Sequence, residues 1–249
     1  MLLSERLMTI ANFVPRGSKV ADIGTDHAYL PIYLVQEGVC PSAVGGDVHR
    51  GPFEAALRAV REAGLGDAIA VRMGDGLAVV EPGEVEAVVI AGMGGGTIRG
   101  ILEASPQVAD QLVRLILQPM VDAAPLREWL LHNGWQIIDE ELAEEENRLY
   151  EVIVAERAKN SLTQLKGNLA TGLSIQLDSV LLEVGPKLVE KRHPLLAKHL
   201  DKLILDRKWI IRQLQNSASP LAQEKAEKTA EWVAKLQNLK DSIYQGENR

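Results

Sequence analysis

The chain has 249 residues, 46% of them hydrophobic, and a formal net charge of −7, enough for one sizeable core with an appendage. Its single cysteine, Cys40, excludes an internal disulfide and a cysteine-built metal cluster, no apolar run reaches the roughly 18 residues of a membrane span, and Met1 to Glu5 lack the start of a signal peptide, so a cytoplasmic protein without membrane contact is expected. The charge is uneven: residues 1–159 hold 13 Lys/Arg against 24 Asp/Glu, residues 160–249 hold 14 against 10, an acidic body followed by a mildly basic arm of the kind that meets nucleic acid.

Leu3, Leu7, Ile10, Ala11 and Val14 recur at helical spacing behind Ser4, with Pro15 and Gly17 beyond, which predicts a short amphipathic helix covering a sheet. Val20 to Ile23 is an apolar run interrupted by Asp22, the pattern of a central parallel strand. A tight turn at Gly24 follows, and from Ala28 the spacing becomes helical through Leu30, Tyr33 and Leu34, with Pro31 near the first turn, where its missing N–H matters least. Open α/β sheets bind ligands at such a junction. A dinucleotide turn reads G-x-G-x-x-G, but this one has a single glycine and sets Asp26 where phosphate oxygens would lie, with Asp22 just upstream. Two carboxylates repel a pyrophosphate and suit a cation. The expected cofactor is therefore S-adenosylmethionine, with its sulfonium and ammonium; the plainer alternative is that the acids only cap a helix.

A second strand, Ala43 to Val48, carries Asp47, 23 residues beyond Gly24, where mononucleotide-binding halves hold ribose hydroxyls. Gly51-Pro52 opens a helix of Phe53, Ala56, Leu57 and Val60 that runs to Gly64. A third strand, Ile69 to Met73, ends in Gly74-Asp75-Gly76; Asp75 can accept from an adenine amino group while Gly76 permits close approach of the ring, or the acid simply stabilises its own turn. The fourth strand, Ala87 to Ala91, is apolar throughout and empties into a glycine-rich loop, Gly92 to Thr97, so that Ala91, Gly92, Met93 and Gly94 are expected beside the transferable methyl group, with a phosphate cradle as the competing use of such glycines. A fifth strand, Val113 to Leu117, leads to Gln118-Pro119-Met120, a helix with Leu126, Trp129, Leu130 and Leu131, and two strands, Trp135 to Leu142 and Leu149 to Ala155, whose short link makes them antiparallel. The fold class that results is α/β, a Rossmann-like seven-stranded class I methyltransferase sheet with a terminal antiparallel hairpin.

In the tail, Leu200, Leu203, Ile204, Ile210, Ile211 and Leu214 mark one helix and Ala222, Ala226, Ala230, Val233, Leu236 and Ile243 a second, with a turn at Asn216 to Pro220. These predict an antiparallel α-helical coiled coil, serving RNA binding or dimerisation. The domain reading is 1–160 for the cofactor-binding catalytic domain, 161–199 for a cap and connection to the sheet, and 200–249 for the coiled coil. Asp26, His27, Tyr29 and Gln118 are the candidates to face the target. His49, His132, His193 and His199 lack metal-ligand spacing and read as surface residues, no metal is expected, and Trp129, Trp135, Trp209 and Trp232 read as packing.

The segments Ser4-x-Arg6-Leu7, Ala21 to Pro31, Gly51-Pro52, Gly74-Asp-Gly76, Ile90-Ala-Gly-Met-Gly-Gly95, Leu117-Gln-Pro119 and Tyr150-Glu-Val together resemble the bacterial tRNA (adenine(22)-N(1))-methyltransferase family. That resemblance implies S-adenosylmethionine, methylation of adenine N1 in the tRNA D-arm region, and a C-terminal coiled coil; the chain is expected to be a monomer or weak dimer. The family pattern has Glu where Asp47 stands and often Asn where Met120 stands, so the acid is kept and the amide is not. Two other readings stand beside it: a methyltransferase of the same fold acting on another RNA position or a small molecule, and a non-catalytic RNA-binding module with a vestigial pocket. The acids at three successive strand ends argue against the second, and the basic arm against a small-molecule substrate.

Overall fold

The structure, a computed structural model, describes residues 2–158, 179–217 and 219–244. The chain divides into two compact units, Met1–Ile175 and Gln176–Arg249.

The first unit runs α1 (Glu5–Asn12), β1 (Val20–Ile23), α2 (Tyr29–Gln36), β2 (Ala43–Asp47), α3 (Arg50–Glu62), β3 (Ile69–Met73), a 3₁₀ turn (Gly76–Val79), β4 (Ala87–Met93), α4 (Gly95–Ala104), α5 (Pro106–Ala109), β5 (Arg114–Pro119), α6 (Ala123–His132), β6 (Trp135–Glu145) and β7 (Arg148–Arg157). The seven strands lie in the order β3-β2-β1-β4-β5-β7-β6. β1 to β5 are mutually parallel, and β7 enters antiparallel between β5 and β6. This is the seven-stranded methyltransferase sheet with its terminal hairpin.

Alternation along each strand fills two layers. Ala21 and Ile23 of β1, with Val88 and Ile90 of β4, join Ile98, Leu126 and Leu130 on one face; Val20, Ala87 and Val89 join Ile10, Leu34 and Val60 on the other. Burial on both faces is why β4 is apolar throughout. β1 and β4 are neighbours in register, Val20 opposite Ala87 and Ile23 opposite Ile90, and the strand order reverses between them. A crevice therefore opens at their carboxyl ends.

Several elements differ from expectation. The stretch from Gly92 to Thr97 is not all loop: α4 begins at Gly95, with Gly94 as its N-cap residue in extended conformation. β5 continues through Gln118 and Pro119. β6 and β7 extend until only Glu146 and Asn147 connect them, both with positive φ (50° and 61°), as a two-residue primed hairpin turn requires. Of the residues that recur at helical spacing on α3, Ala56 and Val60 are buried and Leu57 is exposed.

The second unit contains α7 (Ser179–Val184), α8 (Pro186–Glu190), α9 (Leu196–Gln215) and α10 (Pro220–Tyr244). α9 and α10 pack on each other through Leu200, Ile204, Val233 and Leu236. They are antiparallel, since Lys240 near the end of α10 reaches Asp201 near the start of α9 at 2.6 Å. The unit boundary falls inside the 161–199 segment, and α7 and α8 group with the hairpin; the part of that segment up to residue 178 lies outside the described residues. Three tail readings need correction. His193 and His199 are buried, because helix ends and the hairpin enclose them; Ile210 is exposed; and Trp209 is exposed too, on the side of α9 that α10 does not cover. Among the described residues, no helix is long and apolar enough to cross a membrane.

Candidate active site

At the end of β1 the chain turns on Gly24, whose φ of +78° few other residues adopt. A Cβ there would lie 2.5 Å from Met93 Cε, so the glycine also lets the β4 end close against the β1 turn. The backbone N–H groups of Gly24 and Thr25 both donate to the Gly46 carbonyl of β2, at 2.8 and 3.0 Å, and Ala28 N–H donates to Thr25 O at 2.9 Å. Pro31, the third residue of α2, has no N–H. Three of the turn's main-chain donors are thus committed and a fourth is absent, which leaves a poorer cradle for a pyrophosphate.

The acids stand at the strand ends as expected, in two environments. Asp22 and Asp47 are buried, whereas Asp26 and Asp75 are exposed. Thr25 Oγ1 donates to Asp22 Oδ2 at 2.7 Å, and His49 N–H donates to Asp47 Oδ1 at 2.8 Å. Burial pushes the Asp22 carboxyl up to about 6, against the lowering pull of the Thr25 hydroxyl and the Arg6 charge, while Asp47 adds to the rise. Because the folded state binds this proton more tightly than the unfolded chain, the group's stabilisation is complete below about pH 4 and is lost as pH rises through about 6. Asp22→Asn is therefore expected to stabilise the cofactor-free protein at pH 7 by up to about 3 kcal/mol and to flatten its stability between pH 4 and 7. Urea unfolding at four pH values checks this; an unchanged slope would refute it.

On the other side of the crevice the ends of β4 and β5 are latched together. Met120 N–H donates to Met93 O at 2.8 Å, and Gly95 N–H donates to Val121 O at 2.9 Å. The register of β4 against β5 shifts between Ala91 and Met93, at Gly92 with its φ of +78°, so the strand end turns away from the ladder. Gly95 admits no side chain, since a Cβ would meet the Asp122 carbonyl oxygen at 2.3 Å, whereas a Cβ on Gly94 would rest 3.5 Å from Val121 Cγ2. Val48, Met73, Met120 and Val121 leave apolar surface exposed around these strand ends. His27 and Tyr29 stack, ring centroids 5.2 Å apart and 15° from parallel, and His27 Nε2 lies 3.7 Å from Asp26 Oδ1.

Gln118 is placed differently from the other candidates. It is fully buried; its Oε1 accepts from Arg6 Nη1 at 2.9 Å and its Nε2 donates to Pro119 O at 3.1 Å, which engages both ends of the amide. Arg6 is the residue that sequence reasoning left without a role. From α1 it reaches Gln118 and Glu145 (3.5 Å) and lies over the Tyr150 ring (5.5 Å), besides acting on Asp22. Ser4, whose hydroxyl accepts from Leu7 N–H at 3.4 Å, starts the helix that delivers it. The available signal was the Ser4-x-Arg6-Leu7 segment.

A crevice in which the Gly24, Thr25 and Ala28 N–H groups are committed and four carboxylates stand beside exposed apolar side chains fits a cationic nucleoside better than a dinucleotide. The residues present thus suit S-adenosylmethionine: acids for ammonium, sulfonium and ribose hydroxyls, apolar walls for a purine. Among the described residues no cluster of His, Cys, Asp and Glu could hold a metal ion.

A methyltransferase-domain family model matches residues 3–153. Over 244 residues the chain is 37% identical to the tRNA (adenine(22)-N(1))-methyltransferase of Bacillus subtilis, covering 98% of each sequence. The crystal structure of the B. subtilis m1A22 tRNA methyltransferase matches with a TM-score of 0.82 over 96% of this chain and 99% of that one. Streptococcus pneumoniae Sp1610, solved in complex with S-adenosyl-L-methionine, matches with a TM-score of 0.81 at 31% identity, over 96% of this chain and 99% of that one. With kinship that runs through body and tail alike, the chain belongs to the tRNA (adenine(22)-N(1))-methyltransferase family.

Proposed function

We propose that this protein transfers the methyl group of S-adenosylmethionine to N1 of adenine 22 in tRNA. The fold alone would leave the substrate open; the observation that carries the reading is the 37% identity to the tRNA enzyme over 98% of both chains. In this reading Asp47 holds the ribose hydroxyls, Asp75 and Gly76 receive the cofactor's adenine, and Asp22 and Asp26 face its cationic end. Gly24 and the run Ala91, Gly92, Met93, Gly94 form the floor and slot, and His27 and Tyr29 position the target base. Gln118, held by Arg6, supports the slot from behind.

When bound, the cofactor supplies an electrophilic methyl group on a sulfonium. N1 of neutral adenine already carries an in-plane lone pair, so the protein needs no general base. Its residues have to hold the flipped base, exclude water and keep the base aligned. The product base is cationic, and in this reading the exposed Asp26 carboxylate balances that charge.

Incubation of a tRNA transcript with protein and cofactor should produce a primer-extension stop at position 22, and none on a transcript with guanine there. A stop elsewhere, or none, would overturn the proposal. For the cofactor side, Asp47→Ala is expected to weaken S-adenosylmethionine binding by about 1–3 kcal/mol, the usual loss when hydrogen-bonding groups are left unmatched. Calorimetry measures it, and unchanged affinity would remove Asp47 from the site.

A further inference from the structure

The Ser4-x-Arg6-Leu7 and Tyr150-Glu-Val segments, far apart in the chain, meet at the carboxyl edge of the sheet, where the Arg6 guanidinium lies over the Tyr150 ring. Arginines tie α1 to β5 at both ends: Arg6 Nη1 donates to Gln118 Oε1 at 2.9 Å, and Arg114 Nη1 donates to the Phe13 carbonyl at 2.9 Å. The helix therefore runs back along the sheet, and its first turn brings Arg6 to the end where open α/β sheets bind ligands.

Alternation along β1, β5 and β7 puts Asp22, Gln118 and Tyr150 on the face that α1 covers, each two residues from a buried apolar residue of that layer, Val20, Ile116 and Val152. Packing would be served by continuing those apolar rows. Instead a carboxylate and an amide are buried there, which costs stability, and both meet the field of one cation, Arg6. That side chain is itself only 25% exposed. Its short hydrogen bond goes to the neutral Gln118 amide, while the nearest carboxylate, Glu145, stands off at 3.5 Å. An arginine that served only to pin α1 by charge would have the reverse preference.

The bond to Oε1 fixes which way the Gln118 amide points, because a flipped amide would set its NH₂ against the guanidinium N–H groups. Nε2 is thereby aimed at the Pro119 carbonyl, 3.1 Å away. The next residues make the latch across to β4: Met120 N–H donates to Met93 O, and Val121 O accepts from Gly95 N–H.

We propose that Arg6 is a positioning residue for methyl transfer: through Gln118 it sets the β4–β5 latch beside Gly94, and from the same place it sets its charge against Asp22 on the cofactor side. The inference rests on the reading of the crevice as the site for S-adenosylmethionine and adenine, and deepens it.

The test uses the full chain. Single-turnover methylation of a tRNA transcript carrying adenine 22, at saturating RNA and cofactor, reads the base side, and calorimetric S-adenosylmethionine affinity against pH reads the cofactor side. Arg6→Met is expected to lower the rate about 10- to 100-fold, the loss that a misplacement of about an ångström brings, with affinity at neutral pH within about threefold of wild type. Arg6→Lys keeps the charge and loses the planar fork, so its rate should fall at least about fivefold. The charged groups that face Asp22 are Arg6 from α1 and Asp47 from β2. Without the Arg6 cation Asp22 keeps its proton to higher pH, so the gain in affinity as pH rises through about 6 should move upward in Arg6→Met and stay in place in Arg6→Lys. Adding Gln118→Leu to Arg6→Met should cost little beyond the larger single loss, as for residues that act through one contact.

An Arg6→Met rate within about twofold of wild type, or losses that multiply in the double variant, would overturn the inference. So would a pH midpoint that Arg6→Met leaves in place. Cofactor binding weakened more than about tenfold with a full rate at saturation would make Arg6 a direct cofactor contact and also overturn it. Circular dichroism checks the fold; if Arg6→Met does not fold, the Arg6→Lys rate decides, and a wild-type rate there overturns the inference. A wild type that does not methylate adenine 22 overturns the site reading and this inference with it, whereas a methylating wild type with unaffected variants overturns this inference alone.

Discussion

Gly94→Val is expected to fold, to bind S-adenosylmethionine within a few fold of wild type, and to transfer no methyl group. Gly94 has φ −67° and ψ 147°, a conformation open to any L residue, and its Cβ position meets nothing closer than Val121 Cγ2 at 3.5 Å and Thr97 Oγ1 at 3.9 Å. The valine therefore enters without backbone strain, at the modest cost, about 1 kcal/mol, of a poorer helix cap. Its methyl groups occupy the space between the β4 and β5 ends, where the proposed slot for the base lies. The neighbouring position supplies the contrast. Gly95→Ala would drive a Cβ into the Asp122 carbonyl oxygen and break the Gly95–Val121 latch, so that variant should lose thermal stability along with activity. Single-turnover rates at saturating tRNA, calorimetry and thermal unfolding on the pair decide the matter. A Gly94→Val protein that keeps more than a tenth of the wild-type rate would place the slot elsewhere.

Arg127→Met should destabilise the first unit by about 3–5 kcal/mol, the usual result of removing one partner from a buried ion cluster. Arg127 is fully buried on α6; its Nε donates to Glu140 Oε1 at 2.5 Å and its Nη2 to Glu151 Oε2 at 2.6 Å. Desolvation works against the guanidinium charge, but the two carboxylates outweigh it and hold the group protonated. Without the cation, Glu140 is left buried and negative beside Glu151. At roughly 2–4 °C per kcal/mol for a unit of this size, the midpoint should fall by about 6–20 °C. Adding Glu140→Leu should recover part of the loss, since it removes the fully buried carboxylate that the first substitution strands. A fall of less than 2 °C in Arg127→Met would show that the cluster is not what holds α6 to the hairpin.

The sheet was legible because each strand carries its own evidence: an apolar run, then a glycine or acid at its end. Asp22, Asp47 and Asp75 mark three successive strand ends in the sequence, and the parallel register brings them to one edge of the sheet. What was not legible depends on partners far along the chain. Arg6 is an ordinary polar-face residue of an amphipathic helix until Gln118 and Glu145 arrive beside it. Arg127 sits among Leu126, Trp129 and Leu130 with no local sign that two glutamates from another hairpin will enclose it. Gln118 looked available at a strand end, but the extension of β5 through Pro119 buried it. Trp209 was misread for a related reason: an aromatic in an apolar stripe defaults to the interior, and only the rotation of α9 against α10 shows which side of the helix faces water.

The Gly46 carbonyl that accepts from both Gly24 and Thr25 bears on how far this family can drift. Preference for one nucleoside cofactor over another is often traced to side chains, which single codon changes can exchange. Here two of the turn's main-chain donors, the Gly24 and Thr25 N–H groups, are already bonded across to the next strand, and the third residue of α2 is a proline without one. Side-chain exchanges around the acids would not free those two cross-strand donors. Recruitment of this scaffold to hydride chemistry would require rebuilding the path of the backbone between β1 and α2, so its descendants should vary in what they methylate far more readily than in what they methylate with.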